Sequence, residues 1–172
     1  LIDISASIAD VMDAKVSFVQ GDAVRPQVLK ESDVIISDLP VGFYPDDNIA
    51  ARYEVASTQE HTYAHHLLME QSLKYLKPDG YAIFLAPNDL LSSSQSDLLK
   101  KWLQKHAQIV AMIALPEALF GNAAYAKTIF VLKKQEEQAV QPFVYALSDL
   151  QDQNDLLEFS EKFQNWSRES EI

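Results

Sequence analysis

The sequence predicts an α/β fold, a mostly parallel sheet with helices on both faces. Two observations lead there. Apolar runs rich in β-branched residues at 34–36, 81–86, 109–115 and 128–132 are short enough for buried strands, and most stop at a proline or a charged residue. Between them, residues 62–76 and 92–103 carry apolar side chains at helical spacing. The chain has 172 residues, 48% of them hydrophobic and 23% charged, which suffices for one domain with a real core.

In chain order, Leu1, Ile4, Ile8, Val11 and Met12 fall at helical spacing and predict a helix over 2–13. Val16-Ser17-Phe18-Val19 alternates as a strand and runs into Gly21-Asp22-Ala23. An acid just past a strand, beside a glycine, can accept from an amino group or hydroxyl of a cofactor; it can equally be an ordinary turn residue. Val34-Ile35-Ile36 then reads as a fully buried parallel strand ending at Asp38.

The loop after it carries the clearest chemistry. Pro40 stiffens the backbone and pushes Leu39 towards an extended conformation, which can turn the Leu39 carbonyl away from the sheet. The Asp38 carboxylate and that carbonyl then form two neighbouring acceptors, a match for an amino group with two N–H donors. Phe43 or Tyr44 offers a flat face for a planar ring. Ligands of open α/β sheets bind at this end of the strands. The competing reading is a proline turn with a solvated acid.

Asp46 to Gln59 is polar and aperiodic, hence a loop. His61 and His65 stand four apart at the start of the 62–76 helix, but with no third ligand in view they predict a polar or substrate-lining helix end, and no metal site is expected. Lys77-Pro78-Asp79-Gly80 reads as a turn. Ser94 and Asp97 are spaced like a capping box at the next helix, whose Trp102 belongs to the core. In the tail, Leu156, Phe159, Phe163 and Trp166 form one apolar stripe among acids that include Asp155 and Glu171. Such a helix docks on its own domain, on a partner subunit or on a second copy.

There is no cysteine, so disulfides and thiolate metal sites are excluded and a cytoplasmic setting is expected. No apolar run reaches the roughly 20 residues of a membrane helix. The net charge of −11 argues against broad electrostatic binding of nucleic acid by this chain itself.

Asp38-Leu39-Pro40-Val41 followed by Gly42-Phe43-Tyr44 resembles the Asn/Asp/Ser-Pro-Pro-aromatic motif of S-adenosylmethionine-dependent amino-methyltransferases. Leu39 stands in place of the first proline and Val41 in place of the aromatic. A second match pairs Leu115-Pro116-Glu117-Ala118-Leu119-Phe120 with Lys127-Thr128-Ile129-Phe130-Val131-Leu132-Lys133-Lys134. Together they resemble the later part of the adenine-specific DNA methylases, a branch of the class I methyltransferases.

The resemblance implies a Rossmann-like sheet with an antiparallel last strand, incomplete at the N-terminus for want of the glycine-rich cofactor loop. It implies a partial catalytic domain over 1–147 and an acidic helical extension over 148–172. Catalysis falls to Asp38, Leu39, Pro40 and Tyr44, and S-adenosylmethionine to Asp22, Ala23 and Asp38. Phe43, Phe120 and Tyr125 would hold the substrate, a nucleic acid, expected to be DNA, delivered by regions outside this chain. Two alternatives stay open: methylation of RNA or a protein amide, and a module that keeps the fold but binds without methylating.

Overall fold

The computed structural model describes residues 2–134 and 141–170. Leu1 and Glu171, named in the patterns above, lie outside them. The elements run α1 (Ile2–Val11), β1 (Ser32–Asp38), α2 (Asp47–Ala50), α3 (Ala64–Tyr75), β2 (Leu76–Pro87), α4 (Ser96–His106), β3 (Gln108–Ala114), β4 (Lys127–Lys133), β5 (Phe143–Ala146) and α5 (Gln153–Glu169). Two 3₁₀ turns, Glu117–Phe120 and Ala123–Tyr125, precede β4.

The sheet order is β1-β2-β4-β3-β5. β1 pairs β2 in parallel and β3 pairs β5 in parallel, while β4 lies antiparallel between β2 and β3. Four strands therefore share one direction and β4 opposes them, the mostly parallel class I methyltransferase sheet expected from the sequence. Alternation along β2 sends Ala82, Phe84 and Ala86 into a core built with α3 and α4, where they meet Leu67, Leu73, Leu99 and Trp102. On β3 and β5, Ala111, Ile113 and Phe143 pack with Phe159 and Trp166 of α5. The tail helix thus docks on its own sheet, started by the Asp152 side chain accepting from the Asn154 N–H.

Several expectations need correction. Val34 and Ile36 are 49% and 73% exposed, not fully buried. β1 is an edge strand, and among the described residues no element covers that face. Val16 to Val19 forms no strand, and Val16, Phe18 and Val19 are exposed. A strand needs a neighbour to satisfy its backbone, and none lies beside this segment among the described residues. The Lys77–Gly80 turn is absorbed into β2 as a bulge: pairing jumps from Ser32–Leu76 to Val34–Tyr81, with Asp79 at φ 58°. Ser94 does not cap α4. Gln95 is the N-cap residue without a side-chain cap bond, and Ser94 Oγ instead donates to Glu60. The apolar segment at 143–147 supplies β5, a strand the alternating pattern did not announce.

Candidate active site

β1 delivers Asp38 to the carboxyl edge of the sheet, opposite Leu85. The Leu39 N–H donates to the Leu85 carbonyl at 3.0 Å, extending the pairing by one residue, and the Leu39 side chain is fully buried. Burying that side chain contributes about 1.5–3 kcal/mol and pins the start of the loop. Beyond Pro40 the backbone turns at Gly42, whose φ of 117° disfavours any residue with a Cβ.

A strap then ties the loop to the start of α3. Phe43 bridges Tyr63, the Tyr44 N–H donates to Thr62 at 2.8 Å, and the Ala64 N–H donates to Gly42 at 2.9 Å. Phe43 stacks on Tyr63 at 4.8 Å and 7°, and Tyr63 stacks in turn on His65 at 5.0 Å. Buried Gln95 fixes the other side: its amide oxygen accepts from the Tyr63 N–H and its NH₂ donates to the His61 carbonyl. His65 hydrogen-bonds the Pro40 carbonyl, which partly offsets the effect of burial in lowering its pKa. Burial, followed by the neighbouring His65, drives His66 down to about 3, so His66 is neutral. His61 is bonded to Asp47 at 2.8 Å, with its ring tilted beside Phe43 at 6.4 Å.

The two aromatics of the loop have different roles. Phe43 is 52% exposed and presents a face, whereas Tyr44 is buried. Tyr44 Oη donates to Asp22 Oδ2 at 2.6 Å, making it a strut between the Asp38 loop and the Asp22 turn. Burial, then this bond to Asp22, pushes the Tyr44 phenol up to about 12. Asp22 Oδ1 accepts from the Val24 N–H at 3.0 Å, and Arg25 lies 3.5 Å from Oδ2 while also reaching Asp46. Ala23 lies within this turn, closed by the Arg25 N–H on the Asp22 carbonyl.

Lys127 was not singled out from the sequence. Because β4 runs against its neighbours, its first residue sits at the carboxyl edge, opposite Pro87. From there the Lys127 ammonium donates to Asp38 Oδ1 and lies 3.5 Å from the Leu39 carbonyl. The carboxylate and the carbonyl foreseen as a pair of acceptors therefore converge on one nitrogen. The expected antiparallel strand was the available signal, since it brings residue 127 to the edge where residue 38 ends. It is β4, and not the last strand as expected, because β5 follows it in parallel with β3.

Phe120 and Tyr125 belong to the 3₁₀ turns leading to this edge. Tyr125 is 63% exposed, and neither ring contacts Phe43. A groove of about 570 Å³ lined by Leu73, Pro78, Trp102 and His106 opens at the opposite end of the sheet, away from Asp38.

The sequence model of the family described as N-6 DNA Methylase matches residues 4–169. YtxK of Bacillus subtilis (strain 168), itself described as uncharacterized, is 35% identical over 169 residues, covering 96% of this chain and 51% of its own. A Listeria monocytogenes protein provisionally assigned as a class I S-adenosylmethionine-dependent methyltransferase superposes with a TM-score of 0.87 at 32% identity. That match covers 96% of this chain and 52% of the other, so the chain spans about half the length of these relatives. The methyltransferase subunit of a type I restriction-modification system from Streptococcus thermophilus shares the fold, with a TM-score of 0.59 at 14% identity over 84% of this chain and 35% of that one.

Proposed function

The chain belongs to the N-6 DNA methylase family, and from that premise we propose that the intact protein transfers a methyl group from S-adenosylmethionine to an amino nitrogen, with adenine in DNA as the substrate. The observation that carries this reading is the convergence of Asp38 Oδ1 and the Leu39 carbonyl on a single nitrogen. Two acceptors around one point fit an exocyclic amine, which has two N–H donors and no further need of charge.

The lone pair of such an amine is delocalised into its ring. Accepting both hydrogens orients the nitrogen and stabilises the positive charge that grows on it as its new bond forms. Pro40 and the strap to Tyr63 hold these acceptors before substrate arrives, and Phe43 offers the exposed ring face against which a purine can stack. An adenine taken from duplex DNA must leave its stack to reach this edge.

S-adenosylmethionine, when bound, supplies an electrophilic sulfonium methyl group. Among the residues here, Asp22 fits its adenine end in part: Oδ1 accepts one short internal bond and keeps a second lone pair for an amino group. Ala23 adds backbone at the same turn. The matching family is described as an N-6 DNA Methylase, which supports a polymeric substrate reached through regions beyond this chain.

A second reading, a binding module without methyl transfer, is favoured by the Lys127 ammonium on Asp38. The deciding experiment is transfer of labelled methyl by the intact protein to unmethylated DNA, RNA and protein pools. Asp38→Ala is expected to reduce transfer by about a hundredfold or more at saturating cofactor, and Asp38→Asn less, because its amide oxygen remains an acceptor. No transfer to any pool, with cofactor demonstrably bound, establishes the binding module instead.

A further inference from the structure

The ammonium of Lys127 occupies the acceptor pair that the proposed substrate amine requires. Lys127 is 16% exposed, whereas Asp38 is 65% exposed, so the lysine is the better shielded member of the pair. Its contacts join residues 89 and 88 apart in sequence, linking the first residue of β4 to the loop after β1. An ammonium carries three donors and no acceptor. With two of them directed at Asp38 and Leu39, it satisfies the same groups that an exocyclic amine would satisfy.

The two occupants compete for one place. An exocyclic amine that takes the position the lysine nitrogen holds, between Asp38 Oδ1 and the Leu39 carbonyl, displaces the ammonium from it. A fixed positive charge beside an amine that is itself becoming positive also opposes methylation, since like charges at that separation repel. Lys127 must therefore leave for the acceptors to work on a substrate.

We propose that Lys127 is an intramolecular latch on the amino-acceptor pair, displaced by an incoming exocyclic amine whose ring gains further binding energy by stacking. This rests on reading Asp38 and Leu39 as amine acceptors. It accounts for selection as well: a small amine offers only the exchange of one donor for another, whereas a purine adds the contact with Phe43. Displacement frees the lysine side chain at the mouth of the site, where its charge can meet a phosphate.

The latch is read directly by acylating the intact protein with a limiting amount of an N-hydroxysuccinimide ester and measuring peptide mass shifts. Lys127 is expected to react about fivefold more slowly than exposed Lys101, a difference equivalent to ~1 kcal/mol, and to approach the Lys101 rate in Asp38→Ala, which removes the acceptor. Lys127 reacting at the Lys101 rate in the unaltered protein overturns the latch, whatever the site binds.

The exchange is read by titrating 2′-deoxyadenosine and purine-2′-deoxyriboside, which lacks the exocyclic amine, into the unaltered protein and Lys127→Met. The variant should bind deoxyadenosine about fivefold or more tightly, with purine deoxyriboside unchanged. Equal gains for both ligands, or none for deoxyadenosine, overturn the exchange. A slow-reacting Lys127 in a protein that binds neither nucleoside leaves the latch in place and removes the purine reading of its site.

Discussion

Tyr44→Phe isolates the strut between the two halves of the site. The substitution deletes one hydroxyl, keeps the buried ring, and leaves no unsatisfied donor behind. What is lost is the 2.6 Å bond from Tyr44 Oη to Asp22 Oδ2. A hydrogen bond to a charged group contributes about 1.5–3 kcal/mol. Asp22 is 38% exposed on its side chain and keeps Val24 and Arg25 as partners, so water and those donors replace part of the loss, and about 1 kcal/mol is expected. For a domain of this size that lowers the melting temperature by about 2–4 °C.

The pH dependence adds a second signature. The folded-state pKa of Tyr44 is raised from 10.0 to about 12, so its contribution is complete below pH 10 and is lost as pH rises towards 12. Melting curves of the two proteins between pH 7 and 12 should therefore converge, and then cross, as the phenol of the unfolded chain ionises while the native one beside Asp22 is held protonated. Indistinguishable melting temperatures at pH 7, or a gap that does not change with pH, would refute the strut and the electrostatics assigned to it.

Two further outcomes follow from buried or heavily bonded groups. His66 is fully buried, with neither ring nitrogen hydrogen-bonded, and its pKa is lowered from 6.5 to about 3. The native state consequently loses stability as pH falls from 6.5 towards 3, and His66→Leu should flatten that loss in acid melting curves. Asp155 accepts from Tyr145 Oη, from Ser148 N and Oγ, and from the Asp149 N–H; the Ser148 hydroxyl leads the effects that hold its carboxyl down at about 2. Its stabilisation is present above the ordinary value of 3.8 and is lost as pH falls towards 2. Asp155→Asn should lower the melting temperature at pH 7 and remove that part of the acid sensitivity, measured by circular dichroism.

What was legible in the sequence was local. The core alternation of β2, the apolar faces of α3 and α4, and the stripe of α5 are all periodic patterns, and each found a surface to bury against. β1 shows the limit of such patterns. Val34-Ile35-Ile36 is apolar enough for a central strand, but burial is set by what lies on either side, and only Ile35 faces the core. The segment from Val16 to Val19 alternates like a strand and has no neighbour to pair with.

The site divides in the same way. Asp38, Pro40 and Phe43 could be picked out because a carboxylate, a proline and an exposed aromatic follow one another in a single loop. The strut that Tyr44 makes depends on Asp22, twenty-two residues away. Lys127 depends on the direction of a strand, which no window of sequence contains.

The reversed course of β4 also distributes freedom across the molecule. It obliges the connection from Pro116 to Ala126 to run along the same rim as Asp38. Most of that connection faces water, with Leu119 50% and Tyr125 63% exposed, and Ala126 closes it as a buried anchor. Each doubling of such a loop costs only about 0.6 kcal/mol in closure entropy. Evolution can therefore lengthen, shorten or recolour this rim without moving a strand, so that relatives with the same acceptors can come to admit guests of different size and shape.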